Sequence, residues 1–192
     1  GGGGTVQQQQ QQQQDLDPDS IDRAALMELF HATSGPRWTN KSNWGNPNMP
    51  LSAWKGISVD PHTGAVTKIV LPSNNLQGSI PANIFYLEHL RELDLRFNQI
   101  CGPIPETLGQ LRHLTHCHLQ SNRLSCAVPA SLASLTQLQV LDLRANQLAD
   151  ALPHRSLGVA WKRLKYLGLR SNNFKGGVAE IKHMLPWCKV VT

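Results

Sequence analysis

One spacing recurs through most of the chain and limits its fold more than any other feature. From Val66 it reads Val66-x-x-Ile69-x-Leu71-x-x-Asn74-x-Leu76-x-Gly78-x-Ile80-Pro81, then Ile84 and Leu87. It returns at Leu90 with Leu93, Leu95, Asn98, Ile100, Gly102 and Ile104-Pro105, and at Leu114 with Cys117, Leu119, Asn122, Leu124, Cys126 and Val128-Pro129. Units from Leu138 and Leu164 carry Asn146 and Asn172 at the same place, and Leu185-x-x-Cys188-x-Val190 opens a sixth. The starts are separated by 24, 24, 24, 26 and 21 residues.

Leu-x-Leu alternation describes a short strand with one buried face. A single unit cannot bury its own apolar side chains, but a stack of units can. Each fully buried aliphatic side chain then contributes roughly 1.5–3 kcal/mol. The Asn column follows the strand where the chain turns. Its amides are expected to bond the backbone of their own turn and of the next unit, because unpaired buried polar groups cost about 1–3 kcal/mol each. The Ile-Pro pairs suit an extended segment on the far side, since Pro has a fixed φ and no N–H.

Over residues 66–190 these motifs resemble the leucine-rich repeat family, in its plant-type 24-residue class. The resemblance implies an α/β, right-handed solenoid: a curved parallel sheet on the concave side, and loops with short 3-10 helices on the convex side. Residues 66–192 then hold about five repeats plus the start of a sixth or a short C-terminal cap.

Residues 21–65 do not follow the repeat. Ser20 reads as the cap of a helix carrying Ile21, Ala25, Leu26, Leu29 and Phe30, ending near Ser34-Gly35-Pro36. Trp54-x-Gly56-Ile57-x-Val59, the Asp60-Pro61-His62-Thr63-Gly64 turn and the Val66 strand predict a hairpin. This helix-plus-hairpin segment is similar to the N-terminal cap of plant-type leucine-rich repeat proteins at Ala25-Leu26, Leu29, Asn43-Trp44 and Trp54-x-Gly56-Ile57. It lacks their flanking cysteines, with Ser52 and Val59 in those places, and Ala32 to Trp38 is closer to the cysteine-free bacterial or protist version. Trp38, Trp44 and Trp54 are expected in the core. Residues 1–20, with eight consecutive glutamines from Gln7 to Gln14, predict a disordered tail. The lack of an initiator Met and the strand-like end at Thr192 read as a fragment of a longer chain.

The chain carries 18 Lys and Arg against 13 Asp and Glu, a formal charge of +5. No Lys/Arg run exceeds two residues, which argues against nucleic-acid binding. No apolar run approaches the roughly 18 residues of a membrane span. Motifs of nucleophilic, zinc-protease and phosphate-loop enzymes are missing, so no catalysis and no cofactor are expected. Cys117 and Cys188 occupy inward Leu positions; only Cys101 and Cys126 come into question as a disulfide. His116 and His118 share a strand face, but two histidines make no closed zinc site, even with Glu92 and Asp94 in register, and no metal is expected.

Side chains between the leucines face outward in columns. These are Lys68-Glu92-His116-Val140-Tyr166, Val70-Asp94-His118-Asp142-Gly168, Pro72-Arg96-Gln120-Arg144-Arg170 and Ser73-Phe97-Ser121-Ala145-Ser171. The candidate ligand-binding set is Arg96, Phe97, His116, His118, Gln120, Arg144, Tyr166 and Arg170: a basic stripe with aromatic anchors. Local pairing of Asp94 with Arg96 and of Asp142 with Arg144 competes with that use. The resemblance implies a non-enzymatic module binding a protein or peptide, with acidic groups suited to the stripe. The alternative is the ligand-recognition ectodomain fragment of a larger receptor-like kinase. Cysteine usage leans towards a cytoplasmic chain; the receptor alternative implies the cell surface.

Overall fold

The computed structural model describes residues 18–192. The expected disordered tail therefore lies outside the described residues, apart from its last three. Those three belong to helix α1, Pro18–Ala32. Ser20 thus sits within the first turn rather than capping it. Pro18 suits the helix start, where a missing N–H loses no hydrogen bond.

Helix α1 buries Ala25, Leu26, Leu29 and Phe30. It stops at Ser34, which takes a left-handed φ of 57° before the 3-10 turn Gly35–Arg37. All three tryptophans are buried beneath it. Their ring centroids step 5.1 Å from Phe30 to Trp38, 4.8 Å on to Trp44 and 5.0 Å on to Trp54. The indole N–H groups of Trp38 and Trp44 donate to the carbonyls of Thr33 and Lys55. These contacts make the tryptophans packing residues, as their spacing in an apolar segment suggested.

The strands follow in order: β1 (Ile57–Val59), β2 (Val66–Val70), β3 (Gln77–Gly78), β4 (Glu92–Asp94), β5 (Gln99–Pro103), β6 (His116–His118), β7 (Arg123–Cys126), β8 (Val140–Asp142), β9 (Gln147–Leu148), β10 (Tyr166–Gly168) and β11 (Lys189–Val191). β1 and β2 form the expected antiparallel hairpin. The long sheet runs β1-β2-β4-β6-β8-β10-β11 and is parallel from β2 onward. A second parallel sheet, β3-β5-β7-β9, lies where only loops were expected. The chain is thus α/β with parallel sheets, and one continuous core of Leu, Ile and Val lies inside the stacked coils. Among the described residues no helix is long and apolar enough to cross a membrane.

On the far side, 3-10 turns occupy Ala82–Tyr86, Glu106–Gln110 and Ala130–Ser134. The last two coils carry α-helices instead: α2 (His154–Ala160) and α3 (Val178–Met184). The longer unit explains α2. Its two additional residues extend a five-residue turn to seven, and Trp161 fills the place of Leu87, Leu111 and Leu135.

The second sheet separates Cys101 and Cys126, the one pair that came into question as a disulfide. Cys101 pairs with Arg123, three positions short of Cys126, an offset of about 10 Å along a strand. All four cysteines are free thiols. Burial pushes the Cys117 thiol up to about 12, with Asp94 adding to the effect, so it is inert at neutral pH. Cys126 replaces a repeat glycine that has a structural purpose. Gly102, Cys126 and Asp150 stand at equivalent points with φ of 77°, 65° and 61°.

The Asn column joins the coils, but to the preceding unit rather than the next. Asn98 Nδ2 donates to Leu95 O of its own turn and Leu71 O of the coil before, both at 2.9 Å. Its Oδ1 accepts the Asn74 and Leu76 N–H groups. Asn122, Asn146 and Asn172 repeat this with Leu95 O, Leu119 O and Leu143 O. The cause is where the parallel ladder ends. A continuing ladder would bring the Arg96 N–H to Leu71 O, but that N–H turns to Asp94 Oδ1. Leu71 O is left needing a donor, and Asn98 supplies it. Asn74, first in the column, accepts the Asn40 N–H and donates to Asn40 O, fastening the N-terminal segment in the same way.

Asp22 makes a second attachment. It is buried, and its Oδ2 accepts the Val66 N–H at 2.7 Å. Burial raises its pKa above the ordinary 3.8, against the lowering effect of that hydrogen bond. The folded chain therefore holds this proton more tightly than the unfolded chain, and stability falls as pH rises from the ordinary value through the raised one. Asp22→Asn keeps an acceptor for Val66 without the buried charge. It should be more stable than wild type at pH 7 in urea titrations, with the difference closing below the usual carboxylate range. Asn122→Ala leaves several backbone groups unpaired and should lower the unfolding free energy by about 2–4 kcal/mol in the same titration.

Candidate ligand-binding face

Strand register sets the outward columns. Lys68, Glu92, His116, Val140 and Tyr166 are successive partners, as are Val70, Asp94, His118, Asp142 and Gly168. Both columns match the sequence reading and extend by Lys189 and Val191. Adjacent strands lie about 4.8 Å apart, so five residues of a column span about 19 Å.

Beyond the strands the pleat stops. Ser73, Phe97, Ser121, Ala145 and Ser171 all take left-handed φ, between 50° and 59°. The fourth column is therefore a row of turn residues, not a continuation of the strand. Four members are small. Phe97 is bulky, 56% exposed and held at φ 56°, a conformation that L-residues with large side chains avoid. Nothing in the fold's packing calls for an aromatic ring there.

The basic stripe divides by partner. Asp142 is buried, and Arg144 Nε and Nη2 reach its carboxylate at 2.9 and 2.7 Å. Donating to the Asp142 carboxylate raises the Arg144 pKa further, so the guanidinium stays charged. The guanidinium also lies 5.7 Å from the Tyr166 ring centroid. Burial, and then Asp142, push the Tyr166 phenol up, so it stays neutral at physiological pH. Arg96 meets the buried Asp94 more loosely, at 3.4 Å. Arg170 is exposed and makes no side-chain ion pair among the described residues. Gln120, expected to face a ligand, is instead buried at 7% exposure, with its Oε1 unpartnered among the described residues. It lies between the Arg96 and Arg144 positions of its column.

His116 and His118 stack with centroids 6.4 Å apart, and His116 Nδ1 lies 2.9 Å from Thr115 Oγ1. Among the described residues no group of three or more His, Cys, Asp or Glu is placed to hold a metal ion. Glu92 is engaged by Lys68 at 2.8 Å.

The candidate list omitted Asp94, Asp142 and Gly168. Each Asp accepts the backbone N–H two residues on, as well as its arginine's side chain. Gly168 has no side chain because a Cβ there would run into the Asp142 carboxylate and the Arg144 stem. The Asp-x-Arg spacing was the available signal for the first two. Gly168 carried none, because what it clears lies one strand away.

Comparison with known proteins follows this geometry. A model of the leucine rich repeat family matches residues 64–124. Receptor-like protein 50 of Arabidopsis thaliana is 35% identical over 91 residues, covering 42% of this chain and 10% of the relative. The chain thus spans about a tenth of the length of that relative. The structure of an Arabidopsis thaliana BIR3–SERK2 complex contains a chain similar at a TM-score of 0.72 and 27% identity, covering 79% of this chain and 82% of that one. The Arabidopsis receptor kinase HAESA, solved with the peptide hormone IDA and the co-receptor SERK1, gives 0.63 and 26%, covering 88% of this chain and 33% of that one. These likenesses support a leucine-rich repeat family. The relatives are named as receptor-like proteins and give the cytoplasmic lean no support.

Two substitutions test the face without a ligand. Gly168→Ala should break the Arg144–Asp142 fork and lower stability by about 1–3 kcal/mol in chemical denaturation. Phe97→Asn should raise stability by up to about 1 kcal/mol, because Asn tolerates the left-handed conformation that Phe resists.

Proposed function

We propose that this chain is part of the extracellular ligand-recognition region of a plant-type receptor-like protein. It binds a peptide or protein segment on the outward face of the long sheet and performs no chemistry itself. The observation that carries this reading is that Phe97, Tyr166 and Arg170 all stand on that face, Phe97 three strands from the other two. An exposed aromatic ring held against its backbone preference and a guanidinium with no ion-pair partner among the described residues are not needed by the fold. Aromatic and Arg side chains are also the usual energetic anchors of binding surfaces. The named relatives support the receptor assignment.

On this reading the eight-residue set has graded parts. Arg170, without an ion-pair partner among the described residues, offers a cation for an acidic group on the ligand. Arg96 and Arg144 share their charge with buried aspartates, so they contribute hydrogen-bonding edges more than net charge. Phe97 and Tyr166 supply apolar contact. His116 and His118 line the floor, and Gln120, being buried, stands between Arg96 and Arg144 in their column without offering a ligand contact. Residues 18–65 act as the N-terminal cap of a right-handed solenoid of the 24-residue class. That role agrees with their attachment through Asn40, Asn74 and Asp22.

The test is selection of binders from a displayed peptide library on the immobilised chain. Selected peptides should be enriched in Asp or Glu. Arg170→Glu or Tyr166→Ala should weaken them about tenfold or more, while Lys55→Glu, in the N-terminal segment, should not. Binders indifferent to both face substitutions would refute the reading.

A further inference from the structure

The net charge of the chain sits in one half. Residues 18–111 hold 7 Lys and Arg against 8 Asp and Glu, and residues 112–192 hold 11 against 3. Of those three acids, Asp142 and Asp150 are already engaged by Arg144 and Lys175. The five ion pairs found involve Arg23, Lys68, Arg96, Arg144 and Lys175.

Six other cations gather along one border, where the chain enters the strands of the long sheet: Arg91, Arg112, Lys162, Arg163, Lys165 and Lys189. All six are exposed, and none has an ion-pair partner among the described residues. Backbone hydrogen bonds fix their alignment. Thr115 N donates to Arg91 O, Gln139 N to Thr115 O, Lys165 N to Gln139 O and Lys189 N to Lys165 O. These four steps, each one strand wide, place Arg91 and Lys189 about 19 Å apart on a straight border. Glu88 and Glu106, each lining a groove with Arg112, are carboxylates beside it that take no part in an ion pair among the described residues.

Between the two cationic groups lies a neutral coil with Thr136, Gln137 and Gln139. An open groove of about 430 Å³, lined by Arg91, Arg112, His113, Thr115, Thr136 and Gln137, joins it to the first group. Gln137 Oε1 accepts from Arg163 at 2.7 Å, which leaves its amide N–H groups facing outward. At the far end Trp187 is half exposed, with Lys162 Nζ 5.5 Å from its ring centroid.

We propose that this strand-entry border binds a linear polyanionic saccharide, a chain of uronic acid sugars lying across the coils. Carboxylates meet the two cationic groups, and sugar hydroxyls meet the Thr and Gln side chains between them. Trp187 offers an apolar plane to the C–H face of a sugar ring. The chemistry of the border selects this class. A protein partner would need an apolar interface centre, and a membrane would need several apolar anchors; the border has Trp187 at one end and the half-buried Phe85 beside Arg112 at the other, and the groove between is lined by polar side chains. Single-stranded nucleic acid would need a series of stacking rings. Apart from Lys189, which also ends the first outward column, the border residues stand outside the outward face, and the proposal does not depend on the peptide-binding reading.

The experiment is calorimetric titration of the chain with an oligogalacturonate of about ten sugars, long enough to cross the border. Low salt keeps electrostatic binding in view. Wild type should bind, and affinity should fall steeply as salt is raised. Arg112→Glu/Arg163→Glu/Lys165→Glu should weaken binding at least about a hundredfold, and Trp187→Ala about tenfold or less. Arg170→Glu should leave it unchanged, which separates this site from the peptide face. If the triple variant does not fold, Arg112→Gln/Lys165→Gln should still weaken binding about tenfold. No binding by wild type, or equal binding by the charge variants, overturns the proposal. Equal or tighter binding of a DNA oligonucleotide or of anionic phospholipid vesicles overturns the assignment to saccharide.

Discussion

The side-chain amide of one asparagine per coil holds this structure in register. A parallel ladder must end where the chain leaves each strand, and its ending strands a carbonyl in the interior. Leu71, Leu95, Leu119 and Leu143 each present such a carbonyl, and the Asn of the following coil donates to it. Without that donor, burying the strand ends would carry the full cost of an unpaired peptide group. The apolar residues set how tightly the coils stack. The asparagines set which coil lies on which, and they tie the N-terminal segment to the first coil through Asn40.

The outward face inherits its geometry from this arrangement. Strand exit requires a left-handed residue in every coil, and that row stands beside the Arg column. Buried Asp94 and Asp142 absorb two backbone N–H groups freed at the same exits and hold the adjacent arginines. On the proposed reading, structural and recognition roles are interleaved two residues apart. Phe97 carries a large side chain where the other coils carry a small one, and Arg170 has no ion-pair partner among the described residues.

Much of this was legible in the sequence, for a physical reason. Alternation with period two and recurrence at a fixed interval leave little freedom in register, so both strand columns, the hairpin and the buried tryptophans followed from spacing. Features that depend on contacts between coils did not. The second sheet consists of strands two to five residues long, with no alternation to betray them. The direction of the Asn bonds depends on which neighbour has a vacant carbonyl. Cys101 and Cys126 looked close by counting, but the register of the second sheet sets them three positions apart. Gln120 shares a column with Arg96, Arg144 and Arg170 and is nonetheless buried, so a place in an outward column does not by itself set exposure.

Native-state hydrogen exchange on wild type and Asn98→Ala tests the asparagine account most directly. Asn98 bonds the preceding coil as well as its own turn, so its removal should speed exchange of the Asn74 and Leu76 amides, which donate to its Oδ1. The Leu148 amide, held by Asn172, should keep its protection relative to global unfolding. Faster exchange confined to residues 95–98, with Asn74 and Leu76 unchanged, would contradict the claim that this amide joins one coil to the one before it.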